Sequence, residues 1–459
     1  MLRVWQSECV DKALEKYRSG QHHFFCQATP GGGKTIMAAE LAKRLLDCGE
    51  IDLVLCFSPS LVVSENMRAT FAWRLNCVFN GGLGAVGGSY TYQGLKFLSS
   101  SFWKSIKKHR VLAVFDEIHH CSSDGEGRAN AWGEQIVKNI QTSVKYTLAL
   151  TGTPWRSDSV PIAMASYTDP EGQIVCDYQY SLRQAIKDNV CRSPQIVLVD
   201  NDNLTISEGM EKRSFSSILE LLKQSKTSYQ EVIHNRKVLQ YVLSLACQKL
   251  ASIREDNPNA GGLIVAASVK HAEFIQRLLA EEFHQTTTLV TYQHELPLQT
   301  IDRFRHDGSE WIISVGMISE GTDIPRLQVC CHLSAVKTEL YFRQVLGRIL
   351  RINNADNQQA WLYTFAEENL IGFAERIEQD IPECCQFARF RDVQFEDDNF
   401  GSERKSGFSD AINHPFQRNN LNVSWGRSEQ NVSPSEWWSG SEEQLLLGAF
   451  KQRVIAAFV

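Results

Sequence analysis

The stretch Ala28-Thr29-Pro30-Gly31-Gly32-Gly33-Lys34-Thr35 decides the fold of this 459-residue chain, together with the apolar residues on both sides of it. Phe24, Phe25 and Cys26 predict the end of a short buried strand, and residues 36–46 have the periodicity of a helix. A strand, a glycine-rich turn and a helix in this order are typical of a phosphate-binding loop.

Each residue type in this loop has a physical reason to be there. Gly31, Gly32 and Gly33 let successive N–H groups turn towards a polyphosphate, and the N-terminus of the next helix adds the positive end of its dipole. We expect Lys34 to reach the β- and γ-phosphates of ATP, and the Thr35 hydroxyl to ligate Mg²⁺. Ala28 departs from the usual pattern, which has a glycine there. A flexible glycine-rich loop without a ligand is the alternative.

Composition indicates an ordinary soluble globular protein, with 43% hydrophobic and 22% charged residues. The length allows two sizeable cores. A formal net charge of −6 argues against a broadly cationic surface but permits a local basic groove for nucleic acid. The thirteen cysteines contain no C-x-x-C pair, which is typical of free thiols in a reducing cytosol. Without a signal peptide or a membrane-spanning run, we expect a cytoplasmic protein with no membrane partner.

A second half of a nucleotide site follows the apolar strand predicted at residues 111–115. There Asp116 and Glu117 stand side by side at the strand end. We expect Asp116 to hold Mg²⁺ through water and Glu117 to orient and deprotonate the attacking water. Adjacent carboxylates repel each other unless a cation is present, so the metal is part of the prediction. The neighbouring His119 and His120 make a poor zinc site, because adjacent side chains point apart.

Other polar positions suggest contacts with the base and with nucleic acid. Gln6, near the start of an amphipathic helix, has the donor and acceptor needed to pair with an adenine edge, although a solvated surface glutamine is the alternative. Polar turns at strand ends could hold a phosphodiester backbone through hydroxyls and N–H groups, or be ordinary turns. These candidate nucleic-acid residues are Pro59, Ser60, Thr91, Tyr92 and Gln93.

In this order, Gln6, the loop 28–35, Asp116-Glu117-Ile118-His119 and Thr151-Gly152-Thr153 resemble the motifs of superfamily 2 helicases of the DEAD/DEAH class. The most similar branch contains the type III restriction (Res) subunits, the XPB-like helicases and the RadD-like proteins. The resemblance implies an ATP-dependent motor built from two RecA-like domains. Arg3, Thr29 and Pro30 join the glycines and Gln6 as expected nucleotide-binding residues.

The second half of the chain alternates apolar strands with helical segments, without a phosphate loop of its own. Ser319, Gly321 and Thr322 suit close contact with a sugar–phosphate backbone or with the neighbouring nucleotide, and Gly321 and Asp323 are nucleotide-site candidates. Further along, Gln344, Arg348 and Arg351 are spaced to share one helix face, where two guanidiniums require an anion such as a γ-phosphate. These stretches are similar to motifs V and VI, which implies that the arginines act as fingers across the domain cleft.

We therefore predict an α/β fold with two tandem RecA-like parallel-sheet domains and a C-terminal helical or irregular tail. The expected boundaries are 1–170 for the ATP-binding domain, 171–385 for the second domain and 386–459 for a partly disordered tail. A capping box at residues 441–444 predicts that the tail ends in an amphipathic helix over residues 445–458.

Three functions remain open on the sequence. The first is a DNA helicase or translocase, serving a restriction or antiviral defence system with a separate nuclease or defence subunit, since no nuclease signature is present. The second is an RNA-directed or duplex-sensing ATPase without unwinding. The third is a scaffold with a structural nucleotide switch, which the full set of catalytic residues disfavours.

Overall fold

A computed structural model of the chain describes residues 2–457 apart from 123–132, 134–135, 137–139, 155–160, 169–173, 209–210, 294–295, 317, 319–321, 354, 380–385, 393–443 and 448. Among the helices described, none is long and apolar enough to cross a membrane.

The first half forms a six-stranded parallel sheet in the order β3-β2-β4-β5-β1-β8. Every residue of β4 is buried, because helices and loops cover both faces, as is usual for a parallel sheet. The strands are β1 (His23–Ala28), β2 (Leu53–Ser58), β3 (Gly87–Thr91), β4 (Val111–Phe115), β5 (Tyr146–Thr151) and β8 (Tyr178–Tyr180), with a small hairpin of β6 (Ser166–Tyr167) and β7 (Ile174–Val175). The helices are α1 (Val4–Arg18), α2 (Lys34–Asp47), α3 (Leu61–Leu75) and α4 (Ser100–Ile106), with 3₁₀ turns at Tyr92–Phe97 and Ile118–His120.

The second half forms an eight-stranded sheet in the order β13-β14-β12-β15-β16-β9-β19-β17, parallel as far as β9. Its strands are β9 (Ser193–Asn201), β12 (Gly261–Ala266), β13 (Thr287–Val290), β14 (Trp311–Ser314), β15 (Leu327–Leu333), β16 (Gln359–Phe365), β17 (Gln386–Asp392) and β19 (Phe450–Ala457). A small antiparallel sheet contains β10 (Leu204–Glu208), β11 (Glu211–Phe215) and β18 (Gln444–Leu447).

The helices of this half pack on the larger sheet and connect its strands. They are α5 (Leu182–Lys187), α6 (Ile218–Gln224), α7 (Tyr229–His234), α8 (Arg236–Asp256), α9 (Val269–Glu281), α10 (Pro297–His306), α11 (Glu339–Ile349) and α12 (Glu368–Gln379).

The expected C-terminal helix is wrong. Residues 444–447 and 450–457 are strands, and β19 pairs antiparallel with β9, with Ile455 opposite Ile196. Ile455 is buried and the Phe450 ring stacks on Tyr241 at 4.1 Å between centroids. A mostly apolar segment does not distinguish helix from strand by periodicity, and the open edge of β9 favours the strand. Most of the tail expected to be irregular, residues 393–443, lies outside the described part of the chain.

The first sheet also extends past residue 170, where the sequence placed a boundary, because β8 pairs with β1. The chain then passes to the second sheet through α5 and the segment that ends at β9.

Candidate nucleotide site

The loop between β1 and α2 has the backbone that its glycines predict. Gly31 and Gly33 have φ angles of 82° and 96°, in the left-handed region that glycine adopts without strain. A Cβ atom on Gly33 would lie 2.7 Å from Nε2 of Gln6, so the loop also needs a residue without a side chain there. Gly33 is the N-cap of α2, and Lys34 and Thr35 therefore lie in the first helical turn.

Helix α1 holds this loop from outside. Arg3 donates from Nη1 to the Gly32 carbonyl at 2.7 Å, and Gln6 donates from Nε2 to the Gly33 carbonyl at 2.9 Å. The Gln6 Oε1 atom accepts the Arg3 backbone N–H at 2.9 Å. Gln6 is thus a buried residue that braces the loop, not a solvated glutamine. Pairing of this amide with adenine stays a prediction and requires exchange of at least one of these two bonds.

Lys34 is paired with the acidic loop of β4. Its Nζ atom lies 2.9 Å from Oε1 of Glu117, and the lysine is almost completely buried. Burial by itself lowers the pKa of Lys34, but the charges of Glu117 and Asp116 outweigh it and the pKa is raised. Lys34 therefore carries a full positive charge beside the glycine loop.

Glu117 has the left-handed backbone angle φ of 49°, which turns its carboxylate towards the loop. Its Oε2 atom accepts the Gly152 N–H at 3.1 Å and lies 3.4 Å from Nδ1 of His119. Burial raises the pKa of Glu117, but Lys34, His119 and the Gly152 N–H more than offset this and lower the pKa to about 2. The group is ionised at neutral pH and can accept a proton.

Hydrogen bonds join the acidic loop to its neighbours. The His119 ring and the Thr151 hydroxyl share a hydrogen bond of 2.9 Å, which links the threonine turn after β5 to the acidic loop. Thr151 also donates to the Thr153 carbonyl at 2.9 Å. On the other side, the Tyr92 hydroxyl donates to the Asp116 carbonyl at 2.7 Å. These bonds tie the acidic loop to the turn after β5 on one side and to the 3₁₀ turn after β3 on the other.

The second half supplies two arginines. Arg348 lies in α11, whereas Arg351 lies beyond the helix, which ends at Ile349, so the expected single helix face is wrong for Arg351. Both guanidiniums nevertheless donate from Nη1 to the same acceptor, the Thr322 carbonyl, at 2.8 Å and 2.5 Å. Arg351 also pairs with Asp323 at 2.7 Å. Burial lowers the pKa of Arg351.

A cavity of about 400 Å³ lies between the two sheets and brings most of the candidates together. The first sheet contributes the loop, both acidic residues and the Gly152-Thr153 turn, and the second contributes Asp323, Gln344, Arg348 and Arg351. The α3 residues Val63, Asn66, Met67, Ala69 and Thr70 also line it, although no sequence pattern indicated them.

Two of the cavity residues fit Mg²⁺. Thr35 and Asp116 both line it, and hydroxyl and carboxylate oxygens are the ligands that this ion prefers. Asp116 is buried, so its charge favours a cation nearby. Among the described residues, no group of three or more His, Cys, Asp or Glu side chains is arranged to hold a metal.

The nucleic-acid candidates are less uniform. Ser60 caps α3 by accepting the Val63 N–H, and Thr91 caps the 3₁₀ turn after β3 by accepting the Gly94 N–H. Ser60 and Thr91 lie at the same edge of the sheet, because β2 and β3 are parallel neighbours. Pro59 and Gln93 lie next to them in the chain. Tyr92 is completely buried, and its side chain cannot contact nucleic acid in this conformation.

Thr322 lines a groove of about 430 Å³ between α3 and α10, beside Arg303 and Arg305. It therefore lies between that groove and the nucleotide cavity, because its carbonyl binds Arg348 and Arg351. The other two candidates on this loop, Ser319 and Gly321, lie outside the described residues.

Residues that the sequence reasoning missed join the two halves directly. The Cys191 thiol donates to the Pro30 carbonyl at 3.6 Å, and Gly347 lies against the Pro30 ring. A lone cysteine gives no signal in a sequence, whereas the glycine inside an otherwise regular helix could have indicated a close approach.

Comparison with known families agrees with this geometry. Residues 1–156 match the family described as type III restriction enzyme, res subunit, and residues 242–353 match the helicase conserved C-terminal domain. The uncharacterized protein ML1624 of Mycobacterium leprae (strain TN) is 30% identical over 394 residues, which cover 82% of this chain and 64% of that protein. The chain thus spans less than two thirds of that relative.

Two solved structures share the fold. One is a fragment described as an HsdR subunit of a type I restriction enzyme from Vibrio vulnificus YJ016, with a TM-score of 0.56 and 15% identity over 83% of this chain and 67% of that one. The other is the ATP-dependent type ISP restriction-modification enzyme LlaBIII bound to DNA, with a TM-score of 0.55 and 12% identity over 83% of this chain and 30% of that one.

The chain contains two RecA-like parallel sheets in the order of the two matched families. The first sheet carries the glycine loop and the acidic pair, and the second carries the helix with Arg348. The chain therefore carries the two domains of a superfamily 2 helicase of the branch that contains the type III restriction Res subunits, at residues 1–156 and 242–353.

Proposed function

We propose that this protein hydrolyses ATP and couples the hydrolysis to movement along DNA. The observation that carries the proposal is the cavity between the sheets, where Lys34 and Glu117 face Arg348 and Arg351. A triphosphate is the ligand whose charge suits a lysine, two arginines and a helix N-terminus in one cavity.

The residues of the chain divide the work of hydrolysis. The glycine loop and Lys34 bind the β- and γ-phosphates, and Thr35 and Asp116 hold Mg²⁺. The bound ion would offset the negative charge of the phosphates. Glu117 orients a water molecule and takes its proton while the water oxygen bonds to the γ-phosphorus and the bond to the β–γ bridging oxygen breaks, giving ADP and phosphate. Arg348 and Arg351 stabilise the charge on the transferred group.

Movement follows from the position of the cavity between two sheets. Binding of the triphosphate draws the arginines of the second half towards the glycine loop of the first, and its hydrolysis removes that attraction. Repeated closure and opening shifts the two halves along a bound strand. The first half holds the strand at Ser60 and Thr91. The second half holds it at the groove lined by Arg303 and Arg305, because the Thr322 side chain itself is buried.

DNA is the favoured polymer because the LlaBIII enzyme, which shares the fold, was solved bound to DNA. The groove beside Thr322 is lined by Arg303 and Arg305, and it also contains Glu65 and Asp302. Guanidinium and hydroxyl groups contact phosphates, which RNA also carries, so an RNA-directed ATPase is the second candidate. We further propose a separate nuclease or defence subunit as partner, in keeping with the restriction enzymes among the relatives.

The test is the steady-state ATPase rate of the purified protein with single-stranded DNA, duplex DNA and RNA at fixed salt. We expect stimulation by DNA and loss of turnover in Lys34→Ala. Stimulation by RNA alone would favour the second candidate, and turnover independent of any polynucleotide would contradict the motor. A strand-displacement assay with the stimulating polymer then separates unwinding from translocation.

A further inference from the structure

The strongest feature outside the catalytic set is Arg192, a completely buried arginine at the point where the chain enters the second sheet. Its Nη1 atom donates to the Leu327 carbonyl at 2.6 Å and to the Ile349 carbonyl at 3.3 Å. Its Nη2 atom donates to the Pro325 carbonyl at 3.1 Å. One guanidinium therefore joins the loop before β15 to the end of α11.

Both elements that Arg192 joins contribute to the site of Arg348 and Arg351. Helix α11 ends at Ile349, so its last carbonyls lack partners within the helix. Arg192 satisfies two of them, since its side chain binds Ile349 and its backbone N–H donates to the Leu350 carbonyl at 2.6 Å. A positive charge at this end also complements the helix dipole. Arg348 and Arg351 lie in and just after that same last turn.

The loop is held from two directions. Arg348 and Arg351 both bind the Thr322 carbonyl at its beginning, and Arg192 binds the Pro325 and Leu327 carbonyls at its end. The separation between the loop and the end of α11 is therefore set by the rigid fork of one guanidinium.

Arg192 also connects this unit to the glycine loop. The preceding residue, Cys191, contacts the Pro30 carbonyl through its thiol, and its backbone forms an isolated antiparallel β-bridge with Arg351. A displacement of Arg192 would thus move Arg351 together with the contact between Cys191 and the first half.

Filling space alone does not explain an arginine here. Within the described part of the chain, no carboxylate pairs with this guanidinium, and burial lowers the pKa of Arg192 to about 9. Burying an unpaired charge is costly, whereas methionine would fill a similar volume without that cost. The donated hydrogen bonds are what distinguishes arginine from methionine.

We propose that Arg192 is a positioning residue, which fixes the Thr322–Leu327 loop to the end of α11 so that Arg348 and Arg351 reach the nucleotide in productive geometry. This inference rests on the proposed ATPase function of the cavity. Arg192 itself lies behind these elements and does not line the cavity.

Arg192→Met tests the proposal, with Arg254→Met as control. Arg254 is half-buried in α8, outside the Thr322–Leu327 loop, and donates to two backbone carbonyls, those of Ala260 and Gly308, which do not line the cavity. We expect both variants to lose thermal stability. At a temperature where both are folded, only Arg192→Met should lower kcat, by about 10- to 100-fold with KM for ATP changed less than about 3-fold.

A double variant separates positioning from general loosening. If Arg192 acts through Arg351, the kcat of Arg192→Met/Arg351→Ala should equal that of Arg351→Ala alone within about 3-fold. The proposal is overturned if the kcat losses of the two single variants multiply in the double variant, or if Arg192→Met has the same kcat as Arg254→Met. Arg192→Lys should be intermediate, because it keeps the charge and loses the fork.

Amide hydrogen exchange gives a readout that does not depend on catalysis. Arg192→Met should speed exchange in residues 322–327 and 345–353 more than Arg254→Met does. Absence of ATPase activity in the wild-type protein would refute the proposed function. The hydrogen-exchange comparison would still test the role of Arg192 in holding the loop to α11. Equal protection of those residues in both variants would refute the role of Arg192.

Discussion

Lys34 and Glu117 are each other's partners in the cavity that a triphosphate must enter. The 2.9 Å pair keeps the lysine charged and occupies one oxygen of the Glu117 carboxylate. In the proposed reaction a γ-phosphate would compete with Glu117 for the lysine, so nucleotide binding would free the carboxylate.

This competition predicts the behaviour of Glu117→Gln. The amide keeps the shape of the side chain but cannot accept a proton, so turnover should fall by about 100-fold or more. Because the variant removes the competing charge beside Lys34, ATP should bind at least as tightly as in the wild type. Equilibrium binding of a fluorescent ATP analogue and steady-state turnover measure the two effects.

The matched control is Glu50→Gln, which makes the same chemical change at an exposed ion pair with Lys145. It should leave both quantities unchanged. Normal turnover in Glu117→Gln would show that another group is the base, and weaker ATP binding would contradict the competition with Lys34.

Single residues also show where reasoning from the sequence stops. The roles expected of Lys34, Asp116 and Glu117 depend on neighbours in the chain, and the structure brings all three to one cavity. The burial of Tyr92 and the contacts of Arg192 depend on residues far away in the sequence, which no local pattern reveals. The bonds of Gln6 to the loop are of the same kind.

At the scale of the element, α11 approaches the glycine loop closely because residue 347 has no side chain. A Cβ atom there would lie 2.6 Å from Cβ of Pro30, well inside van der Waals contact. The helix can thus bring Arg348 next to the loop only with glycine at this position, although glycine weakens a helix by about 1 kcal/mol relative to alanine.

Gly347→Ala should therefore separate helix stability from closure of the cavity. We expect a folded protein whose kcat/KM for ATP falls about 10- to 100-fold, because the arginines are held away from the phosphates. Gly372→Ala in α12 is the control, since its Cβ atom would meet only Nη1 of Arg376, at 3.5 Å. It should keep wild-type kcat/KM, and equal activity in the two variants would argue that α11 does not need this approach.

The apolar strands of both sheets were predictable because each is a short buried run between polar turns, as at Val111–Phe115. The structure adds β3 and β11, whose residues are glycine-rich or charged and have little strand signal of their own. It also adds β10, a run of only five residues in which Leu204 and Ile206 alternate with polar residues. The expected helix over residues 445–458 failed for a different reason. Its partner strand β9 lies some 250 residues earlier in the chain, and pairing across that distance decides the conformation.

At the scale of the whole molecule, the two halves of the nucleotide site belong to separate sheets. The glycine loop and acidic pair depend on the first sheet, and the arginines depend on the second, which the C-terminal strand β19 extends beyond β9. Damage at the C-terminus should therefore affect the arginine half while leaving the phosphate-binding half intact.

Ile455→Ala tests this division. Ile455 is buried, and shortening it to alanine should cost about 2–4 kcal/mol through the cavity left behind, lowering the thermal midpoint by several degrees. ATP affinity measured well below that midpoint should stay at the wild-type value, because the loop of Lys34 is on the other sheet. Lys451→Ala, a change at a partly exposed position of the same strand, should move the midpoint by less than about 1 °C. An unchanged midpoint in Ile455→Ala would mean that β19 does not pack on the second sheet in solution. A large loss of ATP affinity would mean that the two halves do not fold as separately as their sheets indicate.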